Sequence, residues 1–238
     1  MASPKKIRIV QIAILVLIVL AAIRLVVVMR QRREKPIVMG RAQPTNGPPL
    51  NREAYVVPKK LHILSLKSAQ QLTKEPVWVQ EGYRYTVYPF AHGVADFKHP
   101  AGMLLPIQKI QIKQVTTGSA PGSGKQVLAV FEQDGKDYAV PIGTESGGDV
   151  QIYADEMFFY EDPHELYNFW PKETWEAIER HEVQKGMNEY QVAFAVGMGT
   201  PEAGGDASQR TVHYPNGGKP LVVTYQNGKA VTVKQGQS

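Results

Sequence analysis

The side chains best suited to acid–base or metal chemistry cluster between residues 155 and 165. They are two aspartates, three glutamates and one histidine: Asp155, Glu156, Glu161, Asp162, His164 and Glu165. Carboxylate oxygens and an imidazole are common ligands of divalent cations. The spacing fits neither the Ca²⁺ loop of an EF-hand nor the His-Glu-x-x-His helix of zinc peptidases. The preferred interpretation is therefore a solvated edge that leads into a helix.

Other candidate motifs each lack a part that their chemistry needs. The segment Gly118–Lys125 is similar to a phosphate-binding loop, but five residues separate its outer glycines and Gln126 replaces the Ser or Thr that reaches Mg²⁺. We interpret it as a loop between two strands. Ser146 lacks the G-x-S-x-G spacing of a nucleophile elbow, and the chain has no cysteine. The sequence thus predicts no catalytic, cofactor-binding or metal-binding residue, and a protein that is not an enzyme.

The densest group of aromatic residues lies between residues 78 and 90. Its members are Trp78, Tyr83, Tyr85, Tyr88 and Phe90. Amphipathic aromatic side chains are enriched at protein interfaces, so these five are candidate partner-binding residues. Their spacing also fits strands whose aromatic side chains pack in a core.

One apolar run, Ile9–Met29, contains only Gln11 and Arg24 as strongly polar members. As a helix it would be roughly 31 Å long, close to the ~30 Å hydrocarbon thickness of a bilayer. We predict a retained transmembrane helix with the lipid bilayer as its partner, between a short basic tail (residues 1–8) and a basic, proline-rich stalk (residues 30–58). A cleaved secretory signal fits less well because the apolar stretch is too long. Lys and Arg are nearly balanced on the two sides, so charge does not fix the orientation.

The positive charge belongs to the beginning of the chain. Residues 1–35 hold 8 of the 27 Lys and Arg residues and 1 of the 22 Asp and Glu residues, a balance of +7. The remaining residues hold 19 basic and 21 acidic side chains, a balance of −2. A nearly neutral domain lacks the strongly basic surface that binds nucleic acids, so no nucleic-acid partner is expected.

Residues 59–160 predict a β-rich domain. The clearest pattern is two apolar stretches, 126–131 and 138–141, around Asp134-Gly135, which is typical of a β-hairpin. The other predicted strands are Leu61–Leu64, Trp78–Val79, Tyr83–Tyr88 and Ile107–Val115. Many short strands with glycine-rich turns favour a small barrel or a curled sheet.

Helical patterns follow, and the second helix has clear start and stop signals. A first helix is predicted to begin at Pro171. Asn188 with Gln191 forms the pattern of a capping box at the start of a second helix, and Gly197 supplies its end.

Three strands are predicted after these helices. They are Arg210–Tyr214, Leu221–Tyr225 and Ala230–Lys234. Asn227-Gly228 is a preferred two-residue hairpin turn. The implied register places Val222 and Thr224 on the same sheet face as Val231 and Val233, where two helices could cover them.

A family resemblance covers residues 170–235. The residues that carry it are Lys185-Gly186-Met187-Asn188-Glu189 with Val192, Gly199-Thr200-Pro201, Tyr214-Pro215, Leu221–Tyr225 and Asn227–Val231. This part of the chain resembles the SmpA/OmlA (BamE-like) family of bacterial envelope proteins. The resemblance implies two helices packed on a three-stranded antiparallel sheet, exposure on the outer side of the cytoplasmic membrane, and binding to other envelope proteins without catalytic residues.

Together these observations predict an α+β protein. Its parts are an N-terminal transmembrane helix, a β-rich small barrel-like middle domain (residues 59–160), and a C-terminal domain (residues 161–238) of two helices packed on a three-stranded antiparallel meander. We expect a single-pass, non-enzymatic protein of the cell inner (cytoplasmic) membrane, with an extracytoplasmic domain that binds another envelope protein. One alternative is a membrane-bound hydrolase or metal-dependent enzyme that uses Asp155–Glu165. Another is an adaptor of the same fold that faces the cytoplasm.

Overall fold

The computed structural model describes Arg24 and residues 52–122, 124–204 and 208–236. The predicted membrane helix, Ile9–Met29, lies outside these residues except for Arg24, which is helical. The longest helices with described bounds have eight residues, about 12 Å of length against the ~30 Å of a bilayer core. Within the described residues, no helix is long and apolar enough to cross a membrane. This finding contradicts the predicted single-pass location in the inner membrane.

Strands dominate the described residues, with 40% in strands and 22% in helices. The predicted α+β class with a membrane helix is therefore wrong, and the structure is mostly β with a curled half-barrel sheet. Asn51–Ser238 form one compact unit, which contains two large apolar cores. The boundary predicted between residues 160 and 161 stays a prediction.

Ten strands build the first part of this unit. They are β1 (Val77–Val79), β2 (Thr86–Ala91), β3 (Val94–Ala95), β4 (Gly102–Met103), β5 (Lys109–Ile110), β6 (Ile112–Ala120), β7 (Gly124–Gln133), β8 (Lys136–Ser146), β9 (Asp149–Ile152) and β10 (Phe158–Phe159). The largest sheet has the order β3-β2-β8-β7-β6, with β4 paired to β2 and β9 paired to β8, and every pairing is antiparallel.

The predicted hairpin is confirmed as β7 and β8. The turn residues Asp134 and Gly135 have φ values of 50° and 73°, as the two central positions of a type I′ turn require. The connection between two strands predicted at Gly118–Lys125 is present but shorter than predicted, because Ser119 pairs with Lys125 and Ala120 with Gly124 across β6 and β7. The strands continue almost to a tight turn, so few residues remain for a loop.

Short helices connect and cover the strands. They are the 3₁₀ helices η1 (Arg52–Tyr55), η2 (Gln70–Thr73) and η3 (Asn216–Gly218), and the α-helices α1 (Leu66–Ala69), α2 (Ala154–Met157), α3 (Pro163–Leu166), α4 (Lys172–Glu179) and α5 (Glu189–Val196). Ser65 forms a capping box with Ser68 at α1. The predicted capping box of Asn188 and Gln191 is confirmed at α5, and Gly197 ends that helix with a φ of 81°.

A small sheet of order β10-β1-β5 joins the two cores. Val77 and Val79 of β1 pack in the first core, whereas Trp78 between them packs in the second. Phe158 and Phe159 of the paired strand β10 divide in the same way. Successive side chains of a strand point to opposite faces, so these two short strands contribute to both cores at once.

The carboxyl-terminal part ends in a four-stranded antiparallel sheet. Its strands are β11 (Thr200–Pro201), β12 (Gln209–Tyr214), β13 (Leu221–Gln226) and β14 (Lys229–Gln235), in that spatial order. The predicted end of the chain, two helices on a three-stranded meander, is therefore corrected to this sheet. The extra strand arises because Thr200-Pro201 pairs with His213 and Val212.

The predicted register of the last hairpin is wrong by one residue. Thr224 pairs with Thr232, but Tyr225 pairs with Ala230, so Val231 is the extra residue of a β-bulge. A bulge exchanges the faces on either side of it. The bulge lies in β14 and places Val233 opposite Val223. The core face carries Val223 and Tyr225, and not the predicted Val222 and Thr224.

A close backbone contact fixes the chain after β1. A Cβ atom added to Gly82 would lie 2.1 Å from the backbone nitrogen of Pro106, so no larger residue fits there. The next residue, Tyr83, has a φ of 57° and donates its N–H to the carbonyl of Leu104 at 2.7 Å. These contacts hold residues 80 and 81, which precede Gly82, in one place.

Candidate binding cavity

Asp155, the first acidic candidate, binds the backbone of residues 61 and 62. Its carboxylate accepts hydrogen bonds from the backbone N–H of Leu61 at 3.0 Å and of His62 at 2.8 Å, and from the hydroxyl of Tyr160 at 2.8 Å. Burial by itself raises the pKa of Asp155, but these hydrogen bonds outweigh it, so the pKa lies below its usual value. The carboxylate therefore holds residues 61 and 62, where His62 has a φ of 51°.

Asp162 and His164 also have structural partners. Asp162 caps α3 by accepting the N–H of His164 at 2.9 Å, and it contacts the imidazole Nδ1 at 2.8 Å. The other ring nitrogen lies 3.1 Å from Glu179, and the ring stacks on Trp175 with centroids 4.1 Å apart. In the part of the chain that the structure describes, no group of three or more His, Cys, Asp or Glu side chains is placed to hold a metal ion.

The five aromatic candidates do not form one groove. Trp78 packs in the second core, with the ammonium group of Lys109 4.9 Å from the centre of its ring. Tyr85 packs against the first core. Tyr88 and Phe90 pack against a third, small cluster on the half-barrel sheet.

The fifth aromatic candidate, Tyr83, lies near the carboxyl-terminal sheet. Its ring lies edge-on to the ring of His181, with centroids 6.3 Å apart. A Cβ atom on Gly217 would be 2.6 Å from the Tyr83 ring. Tyr83 therefore fills a space that a glycine leaves open, and its role as a partner-binding residue stays a prediction.

A cavity of about 490 Å³ lies beside α5. Its lining comes from five separate parts of the chain. They are Gln80 and Glu81 after β1, residues 188–190 and 193–194 of α5 and its cap, Met198 and Gly199 after the helix, Tyr214 of β12, and Gly228 in the turn between β13 and β14. The side chains of Phe194 and Tyr214 are buried, whereas Met198 is 58% exposed and Tyr190 is 38% exposed. Two large exposed side chains, Met198 and Tyr190, thus line the same cavity as two buried aromatic side chains.

The absence of a side chain at Gly199 lets the chain after α5 lie close against β12. A Cβ atom there would lie 2.5 Å from Val212 and 2.7 Å from Tyr214. Tyr214 exchanges a hydrogen bond with Tyr225 through their hydroxyl groups, which are 2.7 Å apart. Burial raises the pKa of both phenols, so both stay neutral at physiological pH.

The polar groups that line the cavity are carboxylates, side-chain amides and tyrosine hydroxyls. The side-chain oxygen Oε1 of Gln80 is buried and has no hydrogen-bond partner among the described residues. Glu81 pairs with Arg84, and Glu189 pairs with Arg210 at 3.3 Å. Each of these ion pairs uses one carboxylate oxygen.

The first part of the compact unit packs against the same helix cap. Glu53 of η1 accepts hydrogen bonds from the indole N–H of Trp170 and the side-chain amide of Asn188, both at 2.8 Å. The guanidinium of Arg52 lies 4.4 Å from the centre of the Phe169 ring. Asn188 is therefore fixed both by its capping hydrogen bonds and by a residue 135 positions earlier.

Comparison of the chain with models of known protein families, with curated proteins and with solved structures finds no match. The resemblance of residues 170–235 to the SmpA/OmlA family accordingly stays a prediction.

Sequence reasoning missed the cavity residues, although one signal was present. The eight residues of α5 include five buried ones, yet Tyr190 in its first turn and Met198 just after its end are exposed. A short helix that is apolar on most sides, with an exposed aromatic residue at one end and a methionine at the other, is typical of an interaction surface.

Proposed function

We propose that this chain is a non-enzymatic binding protein that takes a segment of a partner protein in the cavity beside α5. The observation that carries the proposal is the exposure of Met198 and Tyr190, both of which line a cavity with an aromatic interior. Large exposed apolar side chains around a concave, mainly apolar site are a common feature of binding sites. The predicted resemblance to the SmpA/OmlA family, whose members bind other proteins, supports the same role.

The structural contacts of the acidic region, Asp155–Glu165, favour binding over catalysis. Asp155 and Asp162 both accept backbone N–H groups, and His164 is held between two carboxylates and an indole ring. Side chains with so many structural contacts have little freedom to bind a substrate or exchange protons with it. These contacts favour a structural role for the Asp155–Glu165 region over the enzymatic alternative.

Site-specific photo-crosslinking in the cells that make the protein tests this proposal. A photoreactive phenylalanine analogue at position 198 is expected to form an adduct with one or a few defined proteins. The matched control places the same analogue at position 64, because Leu64 is also a large exposed residue, 82% accessible, and does not line the cavity.

A second variant blocks the cavity without touching the crosslinking position. Ala193→Trp puts an indole into the cavity from α5 and is expected to abolish the adduct, whereas Ala203→Trp in an exposed turn is expected to preserve it. An adduct that persists in Ala193→Trp, or that forms equally well from position 64, would refute the proposed binding site.

A further inference from the structure

We infer that residues 52–56 occupy a peptide-binding site of their own chain, and that an acidic segment of a partner protein binds there in their place. The site, called the docking site below, consists of Phe169, Trp170 and the helix cap Asn188. The inference goes beyond the proposed function, because none of residues 52–56 lines the cavity beside α5. It concerns a second site and the chemistry of its ligand.

The carboxylate of Glu53 is held by two neutral donors from different parts of the chain. Its Oε1 accepts the indole N–H of Trp170 and a side-chain amide N–H of Asn188, both at 2.8 Å. Hydrogen bonds to an ionised acceptor are roughly twice as strong as those between neutral groups. The docking site therefore has a defined position for one carboxylate.

Two further side chains of the segment contact aromatic and apolar surface. The guanidinium of Arg52 lies 4.4 Å from the centre of the Phe169 ring, a distance at which a cation is attracted to an aromatic face. Val56, three positions after Glu53, packs against the second core. The order Arg-Glu-x-x-Val therefore defines the chemistry of a competing ligand.

Residues 52–56 are attached in a way that favours exchange. Among the described residues, their backbone forms no hydrogen bond to another element, and no residue of η1 is buried. The second carboxylate oxygen of Glu53, Oε2, is buried without a partner in that part of the chain, and an unpaired buried oxygen lowers the net gain from docking. Tyr55 and Val57 are 67% and 85% exposed. A ligand with the same three side chains and a better fit would therefore displace the segment.

The two donors of the docking site are held without the help of the segment. Trp170 donates its backbone N–H to the carbonyl of Tyr167 at 3.0 Å, and its ring stacks on the Tyr167 ring with centroids 4.7 Å apart. Asn188 accepts the N–H of Gln191 at 2.8 Å as the cap of α5. Release of residues 52–56 would thus leave two fixed donors without an acceptor, which is unfavourable. A carboxylate from another protein would pair with both.

Fluorescence anisotropy with a labelled peptide tests the inference on the full-length protein. The peptide has the sequence of residues 51–58, and Glu53→Ala in the protein removes the main anchor of its own segment. We expect the peptide to bind Glu53→Ala at least about tenfold more tightly than the unmodified protein, whose own segment competes at an effective concentration of about 1 mM. Equal binding to both proteins, or no binding to Glu53→Ala at about 1 mM peptide, would overturn the inference.

Two variants of the segment support this comparison. Arg52→Ala removes the contact with Phe169 but unpairs no buried donor, so it should raise the affinity of the peptide in the same direction by a smaller factor. Tyr55→Ala is the matched control, because Tyr55 belongs to the same segment and is exposed. It should leave the affinity for the peptide as in the unmodified protein.

A pair of tryptophan variants then locates the bound peptide. In the Glu53→Ala protein, Trp170→Phe removes the indole N–H and should weaken binding about tenfold, as the loss of a hydrogen bond to a charged group predicts. Trp175→Phe is the matched control, because Trp175 packs against Trp170 but donates its N–H to the carbonyl of Tyr167. Equal effects of the two changes would place the peptide elsewhere and overturn the inference.

Selection from a random peptide phage library on the Glu53→Ala protein tests the chemistry of the partner. Peptides that bind equally well to the protein with both Glu53→Ala and Trp170→Phe are removed by counter-selection. We expect the remaining peptides to share an acidic residue, with a basic residue before it and an apolar residue three positions after it. Site-dependent peptides without an acidic residue would overturn the inference and leave the proposed function of the cavity beside α5 untouched.

Discussion

The substitution Asp155→Ala is expected to lower the free energy of unfolding by about 3 kcal/mol. Two of the three hydrogen bonds that Asp155 accepts, from the N–H of Leu61 and the hydroxyl of Tyr160, are partly buried, and the third, from His62, is exposed. Hydrogen bonds to a charged group contribute about 1.5 kcal/mol each at the low end of their range, and the exposed one adds little. The sum of the two partly buried bonds gives the expected magnitude.

Urea unfolding at pH 7, followed by tryptophan fluorescence, measures this loss. Glu156→Ala is the control, because Glu156 is the exposed neighbour on the same helix and such surface changes usually stay within about 0.5 kcal/mol. A loss below about 1 kcal/mol for Asp155→Ala would refute the structural role of this carboxylate. An increase in stability on its removal, together with a melting temperature that EDTA lowers, would instead favour the metal-dependent alternative.

The contribution of Asp155 to the free energy of unfolding should decrease in acid. Because the pKa of Asp155 is lowered by folding, its stabilising contribution is fully present above the pKa of an unfolded aspartate, about 3.9. It is lost as the pH falls through the lower value in the folded state. The difference between the unmodified protein and Asp155→Ala should therefore be constant from pH 7 to about pH 5 and shrink in stronger acid.

Two further predictions concern the backbone at Gly82, after β1, and the side chain of Tyr85, which packs against the first core. Gly82→Ala should destabilise the protein by more than about 2 kcal/mol, because the added Cβ would lie 2.1 Å from the backbone nitrogen of Pro106. The control Gly148→Ala, at a φ of 94° with open space around it, should cost only about 1 kcal/mol. Equal losses of unfolding free energy in urea would contradict the steric argument. Burial, together with the negative charge of Glu81, raises the pKa of Tyr85 to about 12. The stability that the neutral Tyr85 side chain contributes is therefore present below the pKa of an unfolded tyrosine, about 10, and is lost as the pH rises from about 10 to about 12. Tyr85→Phe should flatten the stability profile in that window, and an unchanged profile would show that Tyr85 does not titrate as the structure indicates.

The candidate site shows why residue types alone do not identify function here. The acidic residues at 155–165 and the aromatic residues at 78–90 are the most conspicuous in the sequence, yet most of them are used as caps, clamps and core packing. The cavity instead depends on Gln80, Met198 and Tyr190, none of which belongs to a chemical motif. Their importance comes from a shared location around one cavity.

The sequence by itself determined local features of the chain, namely turns and the ends of helices. The turn at Asp134-Gly135 and the capping box of Asn188 and Gln191 were predictable because each depends on the backbone preferences of a few adjacent residues. The number of strands in the last sheet and the faces of its final hairpin were not. Both depend on the pairing of Thr200-Pro201 with β12 and on the bulge at Val231, which local preferences do not encode.

Only the tertiary structure decided which side chains became functional candidates. Alternate residues of β1 enter different cores because the strand is covered on both faces. A short continuous apolar run such as Val77–Val79 does not by itself distinguish such a strand from part of a buried helix. Likewise, the cavity joins residues near 80, 190, 198, 214 and 228, which are far apart in the sequence and meet only in the folded protein. Long-range packing, rather than local preference, therefore set the site and its charge.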